Sequence, residues 1–165
     1  MSISTGLGDD GGTELFSGKF VPKDHPQVEF IGVLDELNSF LGDAKAAVHL
    51  EGTRTLIESV QRDLFTAPGL LSSKADQAGG IDPERLTALI HGIEERRPMR
   101  GFIIPGKNPA SAKLDIARTV CRRAERRLVT LNRQEPVSPR LLRYLNRLSD
   151  LLFMLARSEE GEHED

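Results

Sequence analysis

The sequence predicts an all-α protein: a bundle of about five helices with a ferritin-like or four-helix-bundle-like core, preceded by an irregular N-terminal arm. Three observations lead there. Apolar residues recur at spacings of three and four through most of the chain. Helix-starting pairs, Asp82 before Pro83 and Ser138 before Pro139, punctuate those stretches. No run of alternating polarity is long enough to read as a strand, and the one short apolar run bounded by turn residues, "GFIIPG", is too isolated to make a sheet. With 165 residues, 38% hydrophobic and 28% charged, the chain has the size and composition of one soluble domain.

Residues 1–27 are rich in Gly, Asp, Ser and Pro without a sustained period, which makes them the arm. From Val28 a helical pattern runs through Ile31, Leu34, Leu37, Leu41, Ala44 and Val48. A second helix follows "EGT" with Leu56, Val60, Leu64 and Ala67 on one face, and Pro68 must kink or end it. The third opens at "DPERL", Asp82 capping and Pro83 in the first turn, and carries Leu86, Leu89, Ile90 and Ile93. After the connector "RRPMRGFIIPGKNP" the fourth spans about Ser111 to Leu131. The fifth is expected to start with Ser138 as cap and to run to about Arg157. The closing "SEEGEHED" reads as a solvated, disordered acidic tail, so the expected divisions of the single domain are 1–27, 28–158 and 159–165.

Several classes are excluded or disfavoured. No apolar run approaches the ~20 residues of a membrane span. The start "MSISTGLGDDGG" has no secretory pattern, and Cys121, the only cysteine, permits no intrachain disulfide, so a cytoplasmic location is expected. His25, His49, His91 and His163 are scattered without metal-ligand spacing and read as surface residues.

The densest charge is "ARTVCRRAERR", five arginines within residues 117–127 of a chain whose formal net charge is -3. At 100° per residue, Leu114, Ala117, Cys121, Ala124 and Leu128 share the core stripe, which makes Cys121 a small buried hydrophobe rather than a nucleophile. Arg118, Arg122, Glu125 and Arg126 form a second stripe beside it, whereas Arg123 and Arg127 point away and need only solvent. An inner stripe of arginines requires anionic partners: acidic side chains, nucleic-acid phosphate, or a small polyanion such as a nucleoside triphosphate. The helix alone does not choose among them, although an acidic chain with few aromatics disfavours nucleic acid. Asn146, Asp150 and Phe153 lie beside the leucine stripe of the fifth helix and could simply bridge helices. Asp35, at the edge of the first helix's apolar face, is a candidate partner for one of the arginines. The arm "TGLGDDGGTEL" combines glycines with Thr5, Thr13 and Asp9. It is suited to a phosphate nest, without being a Walker loop or a dinucleotide fingerprint, and a flexible tail is the competing reading.

Taken in order, "TGLGDDGGTEL", "VPKDHPQVEFIGVLDELNSFLG", "FIIPG", "ARTVCRRAERR" and "YLNRLSDLLFMLAR" resemble the ATP:cob(I)alamin adenosyltransferases of the propanediol-utilisation type. Only residues 50–100 match loosely. The resemblance implies a homotrimer of five-helix bundles that transfers the 5′-deoxyadenosyl group of ATP to the cobalt of cob(I)alamin, forming adenosylcobalamin and releasing triphosphate. It implies an arm of Thr5, Gly8, Asp9, Gly11 and Thr13 around the triphosphate with Lys23 beside it, and ATP contacts from Arg122, Glu125, Arg126 and Asn146, Glu125 also helping to hold Mg2+. It further implies an ion pair of Asp35 with Arg118 across the subunit boundary near the corrinoid, Phe102 on the corrinoid's lower face, and Phe153 as an apolar wall. A cobalt reductase and an adenosylcobalamin-dependent acceptor enzyme are the implied partners. The sequence departs from the family's pattern at Gly6 and Leu7, where a basic residue and a threonine are usual, at Lys113 and Asp115, and in "PGKNP". These departures keep a second reading open, a corrinoid- or nucleotide-binding member with weak or lost adenosyltransferase activity.

Overall fold

The computed structural model describes residues 4–71, 80–99 and 101–161. Five α-helices dominate it: α1 (Pro26–Ala47), α2 (Glu51–Thr66), α3 (Pro83–Arg96), α4 (Pro109–Asn132) and α5 (Pro139–Glu160). The expected all-α bundle is therefore present. Helix α4 lies between α1 and α5, α2 packs on α1, and α3 packs on α5. The core is built from the stripes the spacing predicts, with Leu37 and Leu41 of α1, Leu114, Cys121 and Leu128 of α4, and Leu141, Leu145 and Leu148 of α5 all fully buried. Cys121 donates its thiol to the Leu145 carbonyl at 3.4 Å, and burial pushes its pKa far up, so it is the inert hydrophobe expected.

The ends of the helices explain their limits. In α1 the His25 imidazole accepts from the Gln27 N–H at 3.2 Å and Pro26 fills the first turn, so the helix begins two residues before Val28 and His25 is a cap rather than a free surface group. At its other end Arg54 of α2 donates to the carbonyls of Lys45 and Val48, both at 2.8 Å. Pro68 ends α2 and a short 3-10 turn, Ala67–Leu70, follows. Asp82 caps α3 through the Arg85 N–H at 3.0 Å, a bond that lowers its pKa. Helix α4 starts earlier than Ser111 because Asn108 and Ser111 form a reciprocal capping box around Pro109.

Four further sequence expectations are corrected. The arm contains two three-residue strands, β1 (Gly12–Glu14) and β2 (Phe20–Pro22), paired antiparallel with Thr13 opposite Val21. Segments this short carry no readable alternation; what holds them is Val21 buried beneath the hairpin and the Phe20 ring lying over Gly12, where a Cβ would stand 2.1 Å from the ring. Ser138 does not cap α5 with its side chain. Arg123 and Arg127 are not merely solvated: they pair with Glu36 and Glu29 of α1. Half-exposed pairs of this kind contribute at most about 1 kcal/mol each, so they set the register of α1 on α4 more than they stabilise it. Lastly, α5 continues to Glu160, and Glu159 is buried, accepting from the backbone N–H groups of His49 at 2.8 Å and Leu50 at 3.3 Å. The boundary at 158 therefore cuts a helix that belongs to the bundle. What is left of the expected tail is residues 162–165, with His163, which lie outside the described residues.

Candidate functional site

The polar stripe of α4 faces the polar stripe of α5 across the edge of the core. Glu125 accepts from the Asn146 amide at 3.0 Å, joining two of the sequence-predicted site residues. One turn away, Arg118 and Arg122 of α4, Asp150 and Phe153 of α5, and Glu94 of α3 line an open cleft of about 320 Å³. Asp150 is already paired with Arg147 at 2.9 Å. Among the described residues, neither Arg122 nor Arg126 has a side-chain hydrogen bond or ion pair, so the α4 face carries two exposed guanidiniums without an anion.

Behind this face lies a charged cluster. Asp115 is buried, its Oδ1 accepting from Arg118 Nε at 3.0 Å and its Oδ2 from Arg157 Nη2 at 2.5 Å. The Phe153 ring is within cation–π range of both cations, with centroid distances of 6.0 Å to Arg118 and 5.1 Å to Arg157. Lys113 pairs with Asp43 of α1 at 2.6 Å. The two departures at Lys113 and Asp115 are thus both engaged in ion pairs. Within the chain, Arg118 is paired with Asp115 and not with Asp35.

The arm is ordered by its own backbone. Asp9 N–H donates to Gly6 O at 3.3 Å, Gly11 N–H to Gly8 O at 3.1 Å, and Lys23 N–H to Gly11 O at 2.8 Å. Gly8 has φ +91°, and a Cβ there would stand 2.7 Å from Gly12 O, so the turn admits only glycine. Gly8, Asp9, Thr13 and Lys23 line a cavity of about 500 Å³, with Gly6 and Leu7 on the same wall. Thr5 uses its hydroxyl to accept from the Leu7 N–H at 3.3 Å, and Gly11 is exposed. Leu7 is 88% exposed and does not pack on the bundle.

Asp35 belongs to a third place, an apolar cavity of about 400 Å³ between α1 and α2, where it and Asn38 are the polar members among Phe16, Ile31, Phe65 and their neighbours. Phe102 is 98% exposed in the loop before α4. One chain therefore gathers the candidate residues into an arm group (Gly8, Asp9, Thr13, Lys23), an α4/α5 group (Arg118, Arg122, Glu125, Asn146, Phe153) and an isolated Asp35. The cleft and the arm cavity share no lining residue. Sequence reasoning missed the engagement of Asp115 with Arg157; the i, i+3 spacing to Arg118 was visible, the contact across 42 positions was not. No group of three or more His, Cys, Asp or Glu converges to hold a metal among the described residues. No described helix is long and apolar enough to cross a membrane.

Comparison with known proteins adds an independent line. Residues 3–159 match the family model described as cobalamin adenosyltransferase. The chain is 43% identical over 170 residues to the corrinoid adenosyltransferase PduO of Salmonella typhimurium, covering 98% of this chain and 51% of that protein. It thus spans about half the length of that relative. It is 37% identical to a corrinoid adenosyltransferase of Bacillus subtilis, covering 95% of this chain and 86% of that one. Among solved structures, a variant PduO-type ATP:corrinoid adenosyltransferase from Lactobacillus reuteri, complexed with cobalamin and ATP, superimposes with a TM-score of 0.87 at 29% identity, covering 96% of this chain and 93% of that one.

Proposed function

The chain belongs to the cobalamin adenosyltransferase family, and from that premise we propose that it transfers the 5′-deoxyadenosyl group of ATP to the cobalt of cob(I)alamin as a cytoplasmic homotrimer. The observation that carries this reading is the division of the site. The arm presents glycine-shaped backbone and Lys23, the α4 face presents Arg122 and Arg126 without anions, and no lining residue joins them. Two copies of the chain, arm against α4/α5, would enclose one polyanion between these halves.

The chemistry then needs no protein nucleophile. The electron pair of cobalt forms the bond to C5′, the C5′–O bond breaks, and its pair leaves on the triphosphate. ATP carries roughly four negative charges, and charge-assisted donors that hold them as the leaving group departs lower the barrier. Arg122, Arg126 and Lys23 supply the cations, Gly8 a backbone donor and Thr5 and Thr13 hydroxyl donors, while Gly11, whose N–H is held by the Gly8 carbonyl, shapes the turn that presents them. Asn146 holds Glu125 with one carboxylate oxygen engaged, leaving the other for Mg2+. One protein carboxylate plus substrate phosphates is an ordinary way to bind that ion, and the ion would neutralise phosphate charge. Asp35 and Arg118 would meet across the subunit boundary, with Phe102 and Phe153 as apolar surfaces for the corrinoid. A reductant for cobalt and an enzyme that accepts adenosylcobalamin are the partners such an activity requires.

The test is incubation with ATP, Mg2+ and chemically reduced cobalamin while following the absorbance change to adenosylcobalamin, with light scattering on the same sample. Turnover by a species of three times the chain mass is expected; a monomer at micromolar concentration, or cobalamin left unadenosylated, sinks the proposal. Binding of corrinoid and ATP without turnover would select the second reading, that of a member with weak or lost activity. What favours that reading is Leu7, an exposed apolar side chain on the wall of the arm cavity.

That wall offers a prediction. Gly6 has φ +71°, so a lysine there would be strained, whereas Leu7 can be replaced freely. Leu7→Lys should tighten ATP binding about 3- to 10-fold at low salt, with the gain fading as ionic strength rises. Calorimetric titration at two salt concentrations checks it; unchanged affinity at low salt would mean that the arm cavity does not face triphosphate.

A further inference from the structure

We infer that Asp115 is a positioning residue, fixing the Arg118 guanidinium at the edge of the cleft from behind. The inference rests on the functional reading above, which puts Arg118 beside the corrinoid. Its basis lies in this chain's own geometry. Arg118 borders two cavities at once, the α4/α5 cleft and a smaller one of about 300 Å³ under the loop at Pro105 and Gly106. A long side chain between two open spaces has many conformations to lose, and something must select one. The Asp115 carboxylate does so by taking Nε, the inner donor of the guanidinium fork, at 3.0 Å. That choice leaves the terminal nitrogens for a second anion, which an end-on pairing would have consumed.

Asp115 is itself held. Its side chain is 5% exposed, and its second oxygen is bound by Arg157, whose side chain is 3% exposed and which also lies within 2.9 Å of Glu160. The Phe153 ring lies against both guanidiniums. The order Arg157, Asp115, Arg118 thus passes from the buried end of α5 to the rim of the cleft. In so dry a setting the carboxylate–guanidinium contacts are little screened by water or salt. The two carboxylates Asp115 and Glu160 balance the two guanidiniums, so what suits Arg118 to the Asp35 carboxylate of a second copy is the pair of terminal nitrogens it keeps at the rim.

A double-mutant cycle tests this: Asp115→Ala and Asp115→Asn, each with Arg118 intact and in an Arg118→Met background, assayed for adenosyl transfer with kcat and the KM for ATP determined separately. With Arg118 present, Asp115→Ala should lower kcat about 10-fold or more and leave the KM for ATP within about twofold, since the triphosphate contacts are elsewhere. Asp115→Asn, which retains one acceptor oxygen in the same shape, should recover part of that loss. In the Arg118→Met background neither change should lower kcat further, because Asp115 then has nothing to position. An equal fractional loss in both backgrounds, a loss confined to KM, or no loss at all would overturn the inference. If Asp115→Ala does not fold, Asp115→Asn carries the cycle alone. Wild-type protein without turnover would overturn the functional reading and this inference with it, whereas an active wild type with an additive cycle would overturn only the role of Asp115.

Discussion

Glu159→Ala should lower the melting temperature by about 4 to 16 °C. Glu159 is a charged residue near the start of a run that looks like solvated tail, yet it is 1% exposed. Helix α2 has no side-chain cap of its own at Leu50. The Glu159 carboxylate supplies one from another helix, accepting from the N–H groups of His49 and Leu50 at the positive end of α2. Its carbonyl accepts from Asn108, the cap of α4, at 2.9 Å, so one residue ties three helix ends together. Two hydrogen bonds to a charged acceptor are worth ~1.5 to 3 kcal/mol each, and water reaching the half-buried donors offsets part of the loss, which leaves about 2 to 4 kcal/mol. For a chain of this size each kcal/mol moves the midpoint about 2 to 4 °C. Glu159→Gln, keeping one acceptor, should lose roughly half as much. Thermal unfolding by circular dichroism decides it. A midpoint unchanged in Glu159→Ala would mean that the carboxylate is solvated and that the bundle ends at residue 158 after all.

That residue also marks where sequence reading stops working. The helices were legible because their information is local: a spacing of three and four, a proline in the first turn, an aspartate before it. Extending the stripe Leu141, Leu145, Leu148, Leu152 by the same spacing reaches Leu155 or Ala156 and then Glu159, so the phase of the helix did point to burial; the charge of "SEEGEHED" argued the other way and was the wrong guide. Asn108 was hidden for a similar reason, since Ser111 is itself a plausible cap and only the reciprocal bonds distinguish the two. The hairpin of the arm is short enough that its evidence is one buried valine and one ring over one glycine, neither of which has a period. For the site, residue types and spacing marked out the arm and the stripe of α4. They did not reveal which arginines are neutralised: Glu29 and Glu36 take the pair read as outward, Asp115 takes Arg118, and Arg122 and Arg126 are left. Such a division is settled by how helices pack, and it separates an arginine that holds the bundle together from one available to a ligand.

Mixing two inactive variants should restore activity. Asp35 lines the apolar cavity between α1 and α2, Arg118 lines the cleft of α4 and α5, and no residue borders both. If the two residues pair across a subunit boundary, Asp35→Ala and Arg118→Ala each break every such pair in a homotrimer. Truncating one partner of a desolvated, hydrogen-bonded charge pair typically costs ~2 to 5 kcal/mol, so each variant alone should lose on the order of 100-fold in turnover. Trimers formed at random from equal amounts of the two chains behave differently. An interface works when its Asp35 comes from the Arg118→Ala chain and its Arg118 from the Asp35→Ala chain, which happens at about one interface in four, so about a quarter of wild-type activity should return. Charge reversal would be a poorer test here, because a glutamate at position 118 would be forced against the buried carboxylate of Asp115 in its own chain, whatever its partner does. Co-expressing the variants with two different affinity tags and purifying through both gives the mixed trimers directly, and because the homotrimers are then gone the expected return rises to about a third of wild-type activity. The double variant Asp35→Ala with Arg118→Ala, co-expressed with wild type and purified in the same way, serves as the control; there about one interface in six is intact, because mixed trimers with a single wild-type chain have none. Mixed trimers that stay as inactive as their parents, beside an active control, would show that Asp35 and Arg118 do not work as a pair across the boundary.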